Sequence, residues 1–502
     1  MVINVTEWLD ETTEKFPDKI AISDENKQIT FKKFRDSSIS LAEKIIDFGA
    51  YKKPIAIVLR KSADTLIAFM GVAYSGNFYT VIDLDMPSTR KRKIFEVFQP
   101  EIVILSSEDE LEDDFIVEKN IIYINGISDA YLSEEKVLKC RNGICDTDLL
   151  YTLFTSGSTG IPKGVTICHR SVIDYIEWVE NTFCIDDRDV FGNQAPFYFD
   201  NSILDIYTSI KTGACLQIIP QQLFSQPVRL LSYLKDKKIN TIFWVPSVLI
   251  MVANLHALKK VDLKHVLKRV LFCGEVMPTK QLNEWIKYLP EALYANLYGP
   301  TEITDACTYY VVNRVFADDE PLPIGIPMRN TDILVLNEKQ ELVKPGETGE
   351  LCVRGTSLSM GYYNDPEKTK EVFVQNPLNK AYVEYIYRTG DLVKYNEYNE
   401  LIYVSRKDYQ IKHMGHRIEL GEIETVVSGL PKVERCCCIY DDIKKRIVLI
   451  LKGAALKVDV REVMKNLLPV YMIPGKIIIV DEMPLNTNGK IDRNKLKEII
   501  LG

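Results

Sequence analysis

Apolar positions along the chain recur with two periods that take turns. Residues 34–48 carry them at helical spacing, 54–59 is a short apolar run of the strand kind, 65–72 is helix-like again, and 101–105 is another strand-like run. This alternation predicts a mostly parallel sheet with covering helices. It continues through a strand at 149–154, a helix at 171–181 and, after the small residues Gly213 and Ala214, strands at 215–220, 241–246 and 269–273. The last two end in Pro-Ser or Gly-Glu, so their carboxyl ends can line one crevice, where open α/β sheets place ligands. From about Leu322 the texture changes to Gly/Pro punctuation with short strands at 332–336 and 350–354, which predicts a β-rich subdomain. A polar stretch, Ser405-Arg-Lys-Asp-Tyr-Gln410, then introduces an α+β unit with strands near 433–440, 446–452 and 476–480. The expected fold is therefore α/β. Residues 1–404 form a large domain of two α/β sheet subdomains and a β-rich subdomain, and residues 405–502 form a small α+β domain.

Composition narrows the class. The chain has 502 residues, 46% hydrophobic and 26% charged, as in ordinary globular proteins, and a net charge of −8. No block of Lys/Arg stands apart from acidic residues, which disfavours nucleic acid as a partner and leaves room for a small phosphorylated ligand. No apolar run reaches the roughly 18 residues needed to span a bilayer. The first ten residues carry acids where a signal peptide needs a basic start, so the expectation is a cytosolic protein, a monomer without membrane insertion. Eleven cysteines lack a C-x-x-C pair, and Cys140 and Cys145 have no histidine nearby to complete a zinc site, so they read as reduced thiols. Cys436-Cys437-Cys438 lies in an apolar run, where cysteine acts as a small hydrophobe.

The most informative stretch is Tyr151-Thr-Leu-Phe-Thr-Ser-Gly-Ser-Thr-Gly-Ile-Pro-Lys-Gly-Val165, a strand running into a loop of hydroxyls and glycines. Gly157, Gly160 and Gly164 permit close approach of an anion to backbone, Thr155, Ser156, Ser158 and Thr159 offer donors, and Lys163 adds a mobile charge. A Walker loop is excluded, because Lys163 is followed by glycine and the spacing differs. A plain Gly/Ser surface loop stays open on these residues alone.

Further motifs accompany it: Phe199-Asp-Asn-Ser202, Asn296-Leu-Tyr-Gly-Pro-Thr-Glu302, Tyr387-Arg-Thr-Gly-Asp-Leu392, Gly415-His-Arg-Ile-Glu-Leu-Gly-Glu-Ile-Glu424 and Asn488-Gly-Lys-Ile-Asp-Arg493. In this order they resemble the adenylate-forming superfamily of acyl-CoA synthetases, luciferases and nonribosomal peptide adenylation enzymes, and within it the amino-acid-activating members. The resemblance covers nearly the whole chain. It implies an ATP-dependent, AMP-forming ligase that uses Mg²⁺, activates an amino acid and loads it onto the phosphopantetheine thiol of a carrier protein. It further implies that Thr155, Ser156, Thr159 and Lys163 hold the leaving phosphates. Tyr298 would stack on adenine, Asn296 read its amino edge, Thr301 touch phosphate, Glu302 hold Mg²⁺, and Asp391 with Arg406 hold the ribose. Lys490 would bridge carboxylate, ribose and α-phosphate. Asp408 maps to the hinge of a mobile C-terminal domain, and Gly415 to the approach of the pantetheine arm. Two departures are visible: Ser405 stands where the family usually has glycine, suggesting a stiffer loop, and Val81 replaces a familiar proline.

Asp200 matches the aspartate that the family uses for the substrate α-ammonium, which argues against a CoA-forming acyl ligase. The remaining pocket positions carry over as Asn201, Leu204, Ser247, Leu271, Cys273, Leu297, Asp305 and Ala306. The surrounding segments look most like the freestanding D-alanine:carrier protein ligases, although Asn201 and Asp305 are polar where those are apolar. Asp305 is therefore expected to have a partner, either protein or water at the pocket rim or, in another small or polar amino acid, a substrate side chain that is a donor or cation rather than a bare methyl.

Overall fold

The helix Phe31–Asp47 shows how local chemistry turns periodicity into structure. Thr30 caps it by accepting from the Lys33 amide at 3.2 Å, an interaction worth about 1 kcal/mol, and Phe34, Leu41, Ala42 and Ile45 bury one stripe. The computed structural model describes residues 2–501 apart from 108–113, 118, 128–132, 158–159, 409, 431–432, 454–456 and 485–490.

Among the described residues, one six-stranded sheet has the order Asn120–Tyr123, Ile102–Leu105, Pro54–Val58, Phe78–Ile82, Leu149–Thr155, Lys163–Cys168. Its first five strands pair in parallel, and the unbroken apolar runs of 54–58 and 102–105 suit strands covered on both faces. A nine-stranded sheet is ordered Ile326–Pro327, Thr308–Val311, Leu293–Tyr298, Arg269–Phe272, Thr241–Trp244, Val190–Asn193, Cys215–Ile218, Ile20–Ser23, Gln28–Thr30. Its six inner strands are parallel and its edges antiparallel. The N-terminal strand Ile20–Ser23 thus joins the second sheet, with Ile22 opposite Leu216. Periodicity marks a strand but does not name its partner.

The β-rich part is an antiparallel sheet of Thr331–Leu336, Gly349–Gly355, Tyr385–Tyr395, Phe373–Gln375 and Leu401–Arg406. Ser405 pairs with Leu392 and Arg406 with Asp391. This corrects the expectation that Ser405 lies in a loop opening the small domain. A strand with a solvated face accommodates polar residues, so polarity there does not mark a loop.

Contacts divide the chain into two units: residues 1–84, 98–153 and 165–407, and residues 85–97, 154–164 and 408–502. In the second, the strands Val433–Asp441, Arg446–Gly453 and Lys476–Ile479 form a sheet. Cys436 and Cys438 join one apolar cluster and Cys437 another, so the cysteine run is a strand covered on both faces. Among the described residues no two cysteines form a disulfide. The hairpin of Gln410–His413 and His416–Glu419 turns through Met414 and Gly415, at φ of 53° and 80°. Two successive positive φ values define the tight hairpin turn that calls for glycine, so the turn itself accounts for Gly415. Asp408 is exposed and accepts from the Gln410 amide at 3.1 Å. No helix among the described residues is long and apolar enough to cross a membrane.

Candidate active site

In the first unit the strand Leu293–Tyr298 carries Asn296, Leu297 and Tyr298 to its carboxyl end, and a short 3-10 helix, Thr301–Ile303, follows with Thr301 and Glu302. The turn between them requires Gly299: a Cβ there would lie 2.5 Å from the Asp305 carbonyl oxygen and 2.6 Å from Ala306 Cα. The Asn296 amide donates to the Pro323 carbonyl at 2.8 Å. The Tyr298 hydroxyl donates to Asp391 Oδ2, and Asp391 Oδ1 accepts from Arg406 Nη1 at 2.7 Å. Burial, reinforced by the Asp391 charge, holds the Tyr298 phenol well above its ordinary range, so it stays a donor. The structure thus brings Tyr298, Asp391 and Arg406 into one chain of hydrogen bonds.

Glu302 is fully buried and its Oε1 accepts from the Tyr362 hydroxyl at 2.7 Å, a partner no sequence motif announces. Among the described residues no group of three or more His, Cys, Asp or Glu side chains could enclose a metal. A single carboxylate still fits Mg²⁺ in a nucleotide enzyme, because that ion takes one or two protein carboxylates and draws its other ligands from phosphate and water.

The positions expected to form the amino-acid pocket lie in the same unit. Asp200 caps the helix Asn201–Thr212, accepting from the Asn201 amide at 3.0 Å, where the helix N-terminus favours negative charge. Leu204, Leu271, Cys273, Leu297 and Ala306 all fall in one buried apolar cluster. Ser247 stands apart from that cluster, near the start of the helix Pro246–Asn254, with its amide donating to Glu275 Oε2 at 2.9 Å. Asp305 is 1% exposed. Its Oδ2 accepts from the Tyr175 hydroxyl at 2.7 Å, and Oδ1 has no hydrogen-bond partner. Burial above all, then the Asp200 charge, pushes the Asp305 carboxyl well above the usual carboxylate range; the Tyr175 hydrogen bond opposes the shift. Tyr175 escapes sequence reading because an aromatic residue on the buried face of the helix His169–Phe183 looks like any core residue. Beneath Asp200, Asp205 accepts from Asn193 at 2.9 Å, and burial raises the Asp205 carboxyl and lowers the Lys61 ammonium, favouring the neutral form of each.

The hydroxyl-glycine loop belongs to the second unit. Gly157 is dictated by the turn, since a Cβ would fall 2.0 Å from the Ile161 carbonyl oxygen. Thr155 ends its strand with an unpartnered Oγ1. Ser156 is buried, donating to the Arg417 carbonyl at 2.8 Å and accepting from the Glu419 amide at 3.1 Å. Lys163 opens the strand Lys163–Cys168, its side chain 9% exposed and 3.3 Å from Glu419 Oε1. The start of the strand and the 417–419 segment thus give both Ser156 and Lys163 protein partners. Lys93, unsignalled by any motif, donates to the Gly160 carbonyl at 2.8 Å. Ser158, Thr159 and Lys490 lie outside the described residues.

A model of the AMP-binding enzyme family matches residues 9–363, and one of the AMP-binding enzyme C-terminal domain matches 422–490. The chain belongs to the AMP-binding enzyme family. A D-alanine--D-alanyl carrier protein ligase of Bacillus cytotoxicus is 31% identical to the enzyme over 98% of both chains. Among solved structures, a holo nonribosomal-synthetase protein with adenylation and PCP domains, bound to a vinylsulfonamide inhibitor, superposes at a TM-score of 0.84. It shares 22% identity, over 99% of this chain and 84% of that one. A variant of the o-succinylbenzoate CoA synthetase of Bacillus subtilis superposes at 0.81 with 19% identity over 98% of both chains. The fold is therefore that of adenylation enzymes, shared by proteins of different acceptor chemistry, and the enzyme is an AMP-forming, ATP-dependent ligase.

Proposed function

We propose that the enzyme activates an amino acid and loads it onto a carrier protein. The substrate carboxylate attacks the α-phosphorus of ATP, pyrophosphate leaves, and the phosphopantetheine thiol of the carrier then displaces AMP to give the thioester. The observation that carries this reading is Asp200, a carboxylate at a helix N-terminus beside a buried apolar cluster. Such a group recognises an α-ammonium and has no use for a plain acyl chain. Asp391 and Arg406 hold the ribose hydroxyls, Tyr298 supports the base with Asn296 at its edge, and Thr301 reaches phosphate. Mg²⁺ held by Glu302 neutralises phosphate charge when bound. Thr155, Ser156, Thr159 and Lys163 take the departing pyrophosphate, and Lys490 spreads the charge that develops as two anions meet. Asp408 serves as the hinge and Gly415 as the point of pantetheine approach.

Near-complete coverage of the D-alanyl carrier protein ligase supports D-alanine as the substrate. The polar Asn201 and Asp305 support a different small or polar amino acid. Amino-acid-dependent ATP–pyrophosphate exchange, followed by loading of a phosphopantetheinylated carrier, tests the activity. Product formation with free CoA and a plain carboxylic acid, and none with a carrier, would instead make it a CoA ligase.

A further inference from the structure

Among the described residues, Asp305 Oδ1 and Asn201 Nδ2 of the proposed pocket, and Tyr151 Oη, are buried with no hydrogen-bond partner. Their residues are 1%, 8% and 0% exposed. Asp200 is the chain neighbour of Asn201, and its charge acts on Tyr151, Tyr175 and Asp305. Native proteins rarely leave such atoms unmet unless a ligand or water meets them.

The carboxyl is also held deliberately. Thr304 and Asp305 are both left-handed, at φ of 58° and 71°, a conformation that a β-branched threonine ordinarily avoids. Thr304 Oγ1 donates to the Ser357 carbonyl at 2.9 Å, and Tyr175 fixes Asp305 Oδ2. Backbone strain and two anchors thus leave Oδ1 as the acceptor offered to a ligand, while Asn201 Nδ2 is the donor offered beside Asp200.

A complementary group must supply one donor and one acceptor. A methyl group supplies neither. An ammonium supplies donors alone and would set a cation against the Asn201 amide hydrogens. A neutral hydroxyl or carboxamide supplies both, a donor to Asp305 Oδ1 and an acceptor for Asn201 Nδ2.

We propose that Tyr175 positions Asp305 as the specificity anchor of the pocket, and that the amino acid activated has a neutral side chain ending in a hydroxyl or carboxamide. This rests on the amino-acid reading above and departs from its D-alanine form. Tyr175 acts through Asp305 and is a positioning residue.

The test is ATP–pyrophosphate exchange by the full chain with glycine and both enantiomers of alanine, valine, serine, threonine, asparagine, glutamine, ornithine and lysine. One hydroxyl or carboxamide amino acid is expected to exceed alanine in kcat/KM by about 100-fold or more, since a site built to hydrogen-bond a side chain rejects analogues that lack the group. Tyr175→Phe should lower that ratio by about tenfold, because the carboxyl loses its anchor. Thermal melting confirms folding, and Asp305→Ala, which should abolish the preference, carries the comparison if Tyr175→Phe melts early. Exchange led by glycine, alanine, valine or a cationic amino acid overturns this inference alone, as does an equal loss for all substrates in Tyr175→Phe. Exchange with no amino acid overturns the activation reading, and this inference with it.

Discussion

The residues assigned to the base, the ribose and Mg²⁺ and those assigned to the amino acid sit in one unit, yet they treat buried polarity in opposite ways. Tyr298, Asp391 and Arg406 pair with one another, Glu302 pairs with Tyr362, and Asn296 pairs with the Pro323 carbonyl. Asn201, Asp305 and Tyr151 each keep an atom without a partner. A paired network is rigid at little cost, whereas each buried unpaired group costs about 1–3 kcal/mol until something meets it. The first arrangement presents a preformed surface to a ligand that never changes, and the second presents a demand that only one kind of side chain fulfils.

The strongest way to probe the contrast is Lys490→Ala. With Lys490 proposed to meet the charge developing on phosphate, exchange should fall about 1000-fold for every amino acid, while transfer from preformed aminoacyl adenylate to carrier stays within a few-fold. Equal loss in both half-reactions would break the assignment. Asp391→Asn removes the charge opposite Arg406 and the acceptor of Tyr298. It should raise the KM for ATP by about 100-fold while leaving the ranking of amino acids intact, and a changed ranking would show that the two halves are not separable. Glu302→Gln should raise the Mg²⁺ concentration needed for half-maximal exchange by about tenfold, and chelation of Mg²⁺ should stop exchange in the parent enzyme.

The smallest effect is one of stability. The native carboxyl of Asp305 has a pKa well above its unfolded value of about 3.9, so the folded chain binds more protons across that interval and stability falls as pH rises through it. The loss starts near pH 4 and levels off above the native pKa. Asp305→Asn does not titrate, so its melting temperature relative to the parent should climb with pH, each unit of the interval being worth about 1.4 kcal/mol. A constant difference between pH 4 and pH 8 would show that Asp305 is ionised in the free enzyme and would weaken the contrast drawn above.

The residues proposed for the nucleotide half stand out in the chain because contiguous motifs at strand ends carry them, where a few adjacent residues share one turn. Asn296, Tyr298, Thr301 and Glu302 belong to a single strand and the short helix after it. Tyr362 and Tyr175 were not legible, since each reaches its carboxylate from a segment far along the chain, 60 and 130 residues away. Lys163 and Ser156 were visible as residue types but not as partners of the 417–419 segment.

By itself the sequence determined the alternation of helices and strands, the order of the phosphate, nucleotide and amino-acid motifs, and the covered cysteine strand at 436–438, because these depend on local period and local turn chemistry. Only the tertiary structure decided that Ile20–Ser23 joins the distant second sheet, that Ser405 and Arg406 complete an antiparallel ladder, and that Asp305 is held by Tyr175 with one oxygen left over. Pairing and hydrogen-bond satisfaction are properties of neighbours in space, and a carboxylate carries no mark in the chain of which of its oxygens will find a partner.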